Sequence, residues 1–159
     1  MKSITLFITV LLNGLSAGFF FAWSVSVILG TKKVGDSTYL ETMQNINREI
    51  LNPLFFLVFF GSLLMLIVSI WLPSNSKLSF LLILSSALVY FIGTFGVTAL
   101  GNVPLNNELD TLSLHNLSVT ELNEFRIYYE IKWNLYHTIR TIANLVSFVL
   151  LLISIFIKK

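Results

Sequence analysis

Leu54-Phe-Phe-Leu-Val-Phe-Phe-Gly-Ser-Leu-Leu-Met-Leu-Ile-Val-Ser-Ile-Trp-Leu72 decides the fold class. It runs for nineteen residues without a charge, and about 20 apolar residues carry a helix across a bilayer. Pro53, just ahead of it, suits the first turn of a helix, where a missing N–H costs nothing. Three more stretches meet the same criterion, at about residues 4–29, 78–100 and 135–157. The whole chain is 55% hydrophobic and 11% charged, against about 25% charged in soluble domains. The expected fold is all-α: an integral membrane four-helix bundle, one domain over residues 1–159, in contact with membrane lipids. The first span continues well past Ser16-Ala17, further than a signal-peptide core of roughly 7–15 residues, and is expected to stay attached as a transmembrane helix.

The connections complete this picture. Residues 30–52 are polar, and Thr38-Tyr-Leu-Glu41 has the form of a capping box ahead of Met43, Ile46, Ile50 and Leu51 at helical spacing. A short helix lying at the membrane interface is expected there, ended by Asn52-Pro53. Residues 73–77 form a tight turn that makes spans two and three a hairpin. Residues 101–119 are expected to be a longer linker, after which Thr120 or Ser118 caps an extended fourth helix starting near 120. Continued to Ile157, that helix measures roughly 55 Å.

Four spans place both termini on one face with Lys2, Lys77, Lys158 and Lys159, and all eight acidic residues on the other with Lys32, Lys33, Arg48, Arg126 and Lys132. Lysines and arginines near span ends nearly tie, but the purely basic terminal face favours cytoplasmic termini. Gly14, Gly18 and Ala22 in span one, and Gly93, Thr94, Gly96, Thr98 and Gly101 in span three, are small residues of the kind that let helices approach in lipid. Cysteine is absent, which excludes disulfides, thiolate metal sites and Cys-x-x-Cys redox chemistry. The net charge of +2 gives no footprint for nucleic acid. Two histidines without a nearby acidic pair make no metal or haem site, and no metal or cofactor is expected.

Chemistry concentrates where the last span begins. At about 100° per residue, Arg126, Tyr129, Glu130, Trp133, His137, Arg140 and Asn144 share one stripe roughly 100° wide. Ionisable groups at the edge of a bilayer are costly and usually mark a site. One account is structural: Arg140 pairs with a carboxylate or with loop carbonyls and ties the last helix to the linkers. The other is a small polar pocket. There His137 acts as a base, Arg140 stabilises an oxyanion, and Trp133 and Tyr136 form aromatic walls, with Tyr136 about 60° off the stripe. Gln44, Asn47 and Arg48 share a helix face, and Asn102-Val-Pro-Leu-Asn106 follows span three; both segments lie on the same membrane face as His137. Their amides, with Asn144, are candidate substrate ligands or helix caps.

These segments carry a resemblance. Ala17-Gly-Phe-Phe-Phe-Ala-Trp-Ser-Val-Ser-Val27, Met43-Gln-x-Ile-Asn-Arg48, Asn52-Pro53, Asn102-Val-Pro-Leu-Asn106 and Trp133 through Arg140-Thr141 occur in the order found in an anthrone-oxygenase-like family of small four-span membrane proteins, much of it classed only as a domain of unknown function. The resemblance implies a four-helix bundle and, from named members, oxidation of anthrones to anthraquinones by O2 without an evident cofactor. The family pattern often reads Trp-Asn-His-x-Arg-Thr before the last span; here the stretch is Tyr136-His137-Thr138-Ile139-Arg140-Thr141. Arg140 and Thr141 transfer directly, whereas the imidazole is displaced by one residue, or about 100°. Two functions are therefore expected to compete: a cofactor-independent oxygenase of an apolar phenolic substrate, and a non-enzymatic membrane protein binding a lipid, a quinone or a protein partner.

Overall fold

The structure, a computed structural model, describes residues 2–74 and 76–157. Helix α1 runs over Lys2–Ala22, passes through a π-helical turn at Trp23–Val27 and ends with Ile28–Thr31. Helix α2 is Asp36–Glu49 and α3 is Pro53–Ile70. Helix α4 begins as Lys77–Val89, continues through π turns at Tyr90–Gly96 and Thr98–Asn102, and finishes as Val103–Asp110. A 3-10 turn at Leu114–Asn116 leads into α5, Val119–Phe156. Helices α1, α3, α4 and α5 are each long and apolar enough to cross a membrane, and the chain is a multi-pass membrane protein with a short helix after its first span. Of the lysines used to orient the termini, Lys158 and Lys159 lie outside the described residues.

Local chemistry sets the helix ends. Asn52 caps α3 by accepting from the Phe55 amide at 3.0 Å, with Pro53 in the first turn. Ser118, rather than Thr120, caps α5 in a full capping box with Glu121. The box expected at Thr38 does not form. Helix α2 starts three residues earlier, after an extended Gly35, and Glu41 accepts instead from the Ser37 hydroxyl at 2.7 Å. Asp36 in its first turn suits the positive end of the helix dipole. The expected linker also differs, because α4 stays helical to Asp110. Pro104 gives back no N–H and would break a plain α-helix. The π turn just before it, where the Val103 amide reaches the Thr98 carbonyl, takes up that mismatch.

Polarity is inverted relative to a soluble bundle. Thr9, Asn13, Ser16, Ser62, Ser69, Ser86, Thr94, Asn144 and Ser147 are buried, while large side chains such as Ile4, Leu57, Leu64, Ile92 and Ile142 face outward. Outward leucine and isoleucine gain nothing by meeting one another in lipid, so helix association falls to close packing and interhelical hydrogen bonds. The four spans form an antiparallel ring in which α1 packs on α3 and α5, and α4 on α3 and α5. Helices α1 and α5 are joined by a reciprocal pair: Asn13 Nδ2 donates to Ser147 Oγ at 3.2 Å, and Asn144 Nδ2 donates to Ser16 Oγ at 2.7 Å. Ser86 of α4 joins the same layer through Ser147 at 2.9 Å.

Helix α2 folds over one end of this ring. Tyr39, Leu40 and Met43 pack with Leu105, Leu109, Leu114, Tyr129 and Trp133 into a buried cluster. Arg126 fastens the edge of this cap. Its Nη1 donates to the Val34 carbonyl at 2.6 Å and to Asp36 at 2.9 Å, its Nε donates to Glu130 at 3.1 Å, and its guanidinium covers the Tyr39 ring.

Two outcomes follow for stability. At Gly93 an added Cβ would collide with the Ala143 Cβ, whereas at Gly18 it would meet open space. Gly93→Ala should therefore lower stability by about 1–3 kcal/mol, as overpacking does, while Gly18→Ala should leave it unchanged or raise it by up to about 1 kcal/mol. Melting in detergent checks both. The hydrogen bond from Asn123 and then the Arg126 guanidinium hold the Asp36 carboxyl below its ordinary value of 3.8. Stabilisation from a depressed carboxyl is complete above its unfolded value and lost as pH falls through the folded one. As pH falls below about 4, the melting temperature should thus drop by more in the native chain than in Asp36→Asn.

Candidate functional site

Beneath the α2 cap lies a cavity of about 130 Å³. It is lined from α1 by Phe19, Phe20 and Trp23, from α3 by Phe55, from α4 by Thr98 and Asn102, and from α5 by Trp133, His137 and Arg140. Asn47 and Asn106 contribute from the cap, beside Ile46 and Ile50. The stripe on α5 turns inward throughout: Tyr129 and Asn144 are fully buried, and His137 and Arg140 are 1% and 7% exposed.

Arg140 is the chemical centre. Its Nε and Nη2 donate to His137 Nδ1 at 3.3 and 3.1 Å, and its Nη1 donates to Thr98 Oγ1 at 3.4 Å. The guanidinium lies 4.7 Å from the Phe20 ring centroid and 5.0 Å from that of Trp133. A desolvated cation–π contact of this kind contributes about 2 kcal/mol. Among the described residues no carboxylate lies within ion-pair distance of it. Of its five N–H groups, three are engaged by His137 and Thr98, which leaves two without an acceptor among the described residues. The structural role expected for Arg140, pairing with a carboxylate or loop carbonyls, falls instead to Arg126.

This contact also assigns the histidine proton. A guanidinium only donates, so His137 Nδ1 carries the lone pair and Nε2 carries the hydrogen. Nε2 then donates to Ser24 Oγ at 2.9 Å, and Ser24 passes its own hydrogen to the Phe20 carbonyl at 3.2 Å. The Trp133 indole stacks on the imidazole at 5.1 Å and 7°. Ser24 lies in the π turn of α1, and Thr98 and Asn102 in the second π turn of α4. Such bulges re-aim side chains and cluster at functional sites.

The other residues singled out in the sequence divide into two groups. Asn47, Asn102, Asn106 and Trp133 line the cavity. Asn106 Oδ1 accepts from Trp133 Nε1 at 2.8 Å and from the Tyr129 hydroxyl at 3.1 Å, and that hydroxyl accepts from Asn47 at 3.1 Å. Asn102 Nδ2 donates to the Trp133 carbonyl at 3.2 Å, while its buried Oδ1 has no partner among the described residues. The remaining four lie elsewhere. Gln44 binds the Leu109 and Leu112 carbonyls at the end of α4. Arg48 pairs with Asp110 on the exposed rim. Tyr136 packs on Gly101 along the outer side of α4, and Asn144 belongs to the α1–α5 pair. Sequence reasoning had not placed Phe20, Ser24 or Thr98 in a site. Ser24 and Phe20 do sit within the 17–27 segment that carries the resemblance, and Thr98 is one helical turn before Asn102.

A family model described as Anthrone oxygenase matches residues 52–150. The chain belongs to the anthrone oxygenase family. No curated protein and no solved structure matches it. The family match takes in Asn102, Trp133, His137 and Arg140; α1 and α2, which supply Phe20, Ser24 and Asn47, lie before it. No group of three His, Asp or Glu side chains suited to a metal occurs among the described residues.

The tautomer can be checked directly. Nitrogen-15 spectra of histidine-labelled protein in nanodiscs should show His137 Nδ1 unprotonated and Nε2 protonated, unchanged in Ser24→Ala because Thr141 Oγ1 also lies 3.3 Å from Nε2, with Arg140→Met allowing the second tautomer to appear. The opposite assignment in the native chain would mean that Arg140 does not donate to the ring.

Proposed function

We propose that this chain oxidises an anthrone-like phenolic compound with O2, without a cofactor, in the cavity beneath α2. The observation that carries this reading is the buried Arg140 guanidinium with two uncommitted N–H groups and no counter-charge. A desolvated cation of this kind favours a ligand that becomes an anion. An anthrone does so by losing a benzylic proton to give an enolate oxygen, which the free Arg140 donors would hold. Preorganised donors aimed at developing charge are commonly the largest contribution to catalysis.

His137 is the proposed base. Its Nδ1 lone pair accepts from Arg140 Nε and Nη2. Rotation of the guanidinium as its free donors close on the substrate oxygen would release that lone pair for the benzylic proton. Ser24 accepts from the protonated second nitrogen, so Nδ1 remains the basic atom. The electron-rich anion then reacts with O2. A carbon–oxygen bond forms at the benzylic carbon, and the hydroperoxide breaks its O–O bond as the remaining hydrogen on that carbon departs. The carbon is left as a carbonyl, and the second oxygen leaves as water. Phe20, Trp23, Phe55 and Trp133 supply aromatic walls that limit water around the anion.

Membranes containing the protein should convert emodin anthrone to its quinone, followed by quinone absorbance with matching oxygen uptake. Arg140→Met should lower kcat/KM about 10²–10³-fold, the usual cost of removing one oxyanion donor, and His137→Gln about 10²–10⁴-fold, the range for a general base. Variants that fold and match the native rate would overturn this assignment. The same Arg140 donors serve a neutral quinone carbonyl. Tight quinone binding without oxygen uptake would assign a binding protein instead.

A further inference from the structure

The cavity changes character along its depth. Its floor is polar and closed: Asn102 and His137 are each 1% exposed, Trp133 is 4% and Arg140 is 7%. Its most open lining residues are the apolar Phe19, Leu51 and Val103, at 41%, 66% and 42% exposure, with one neutral amide, Asn107, beside them. Arg140 and His137 are the ionisable side chains of the lining and both sit at its floor; the lining contains no Asp, Glu or Lys, so no charged lining residue stands at the mouth to steer an ion in from water. Phe19 lies twelve residues inside the end of α1 at Thr31, about 18 Å along the helix, well within the apolar part of the span. From there Phe19 meets Phe55 at 5.8 Å, and Phe55 stacks on Phe59 at 5.3 Å, forming an aromatic wall beside the opening.

The volume adds a second constraint. At about 130 Å³ the cavity is close to one that encloses a single benzene ring, about 150 Å³. A larger ligand that brings an oxygen to Arg140 must leave its remaining atoms in the mouth, among exposed apolar side chains.

From the exposed apolar mouth, the closed cationic floor and the one-ring volume, we infer that the site is filled from the bilayer and takes, ring first, the phenolic head of a membrane-dissolved molecule whose apolar remainder stays at the lipid-facing edge between α1, α3 and the end of α4. This rests on the reading of Arg140 as the holder of an oxyanion. It adds the route, the orientation and the ligand class: phenols carrying a bulky or extended apolar substituent remote from the hydroxyl. Water-borne phenols with a charge at that remote end are excluded, because the charge would have to remain among Phe19, Leu51 and Val103.

A series of 4-alkyl-2-nitrophenols tests this in nanodiscs. Quenching of Trp23 and Trp133 reports binding, and the colour of the nitrophenolate reports ionisation at Arg140. With affinities expressed as mole fraction in lipid, the dodecyl compound should bind at least as tightly as the ethyl compound, and both should ionise at lower pH when bound. 4-Hydroxy-3-nitrobenzenesulfonate, with its charge at the remote end, should bind at least tenfold more weakly. Val103→Trp, which narrows the mouth, should weaken the dodecyl compound at least tenfold more than the ethyl one. Binding of the ethyl but not the dodecyl compound would overturn the inference and leave the Arg140 reading standing, as would a sulfonate that binds as well as the ethyl compound. Failure of every phenol to bind, or unchanged ionisation in folded Arg140→Met, would overturn the Arg140 reading itself.

Discussion

A positive charge without a negative one governs the interior of this protein. Burying an ion without a partner costs several kcal/mol even after relaxation, and Arg140 does so at a depth where lipid surrounds the bundle. Its surroundings are arranged to tolerate the cation without neutralising it. Two aromatic faces flank it, a neutral imidazole accepts from it through Nδ1, and a threonine hydroxyl sits opposite. A carboxylate in the same place would be a better structural partner and would leave little for a ligand. The paired cluster of Arg126 with Asp36 and Glu130 lies about four turns away and holds the cap.

The π turns are the backbone counterpart of this arrangement. Each occurs where α1 or α4 passes the ionisable part of α5, and each carries a side chain that meets it: Ser24 at the imidazole, Thr94 at the Arg140 carbonyl, Thr98 at the guanidinium and Asn102 at the Trp133 carbonyl. Regular α-helices in a ring of this size present their stripes at fixed intervals of about 3.6 residues. The wider turns break that interval on two walls, and the third, α5, is regular.

The four spans and the short second helix were legible from hydropathy, and the inward stripe on α5 from helical spacing alone, because 3.6-residue geometry places Trp133, His137, Arg140 and Asn144 on one side. Membership of the family was legible in short segments spread along the chain. The continuation of α4 past Asn102 was not, because Pro104 ordinarily argues against helix and a π turn leaves no mark in composition. Nor were the separate placements of Gln44, Arg48 and Asn144 visible. All are polar residues near a polar stripe, and only the three-dimensional path shows that Gln44 closes helix α4, Arg48 reaches a surface acid and Asn144 meets Ser16. The capping box at Thr38 fitted the pattern, yet Gly35 and Asp36 offered an earlier start.

The reciprocal amides of the first and last spans bear on how the chain is assembled. Asn13 and Ser16 are synthesised well before their partners Ser147 and Asn144, which lie 134 and 128 residues further along the chain. Until then, two polar side chains on α1 face hydrocarbon or borrowed contacts. A polypeptide arrested before residue 144 would leave Asn13 without Ser147, with Ser16 held by the Tyr90 hydroxyl of α4 alone. The layer at the bundle centre thus closes only once α5 has joined α1 and α4.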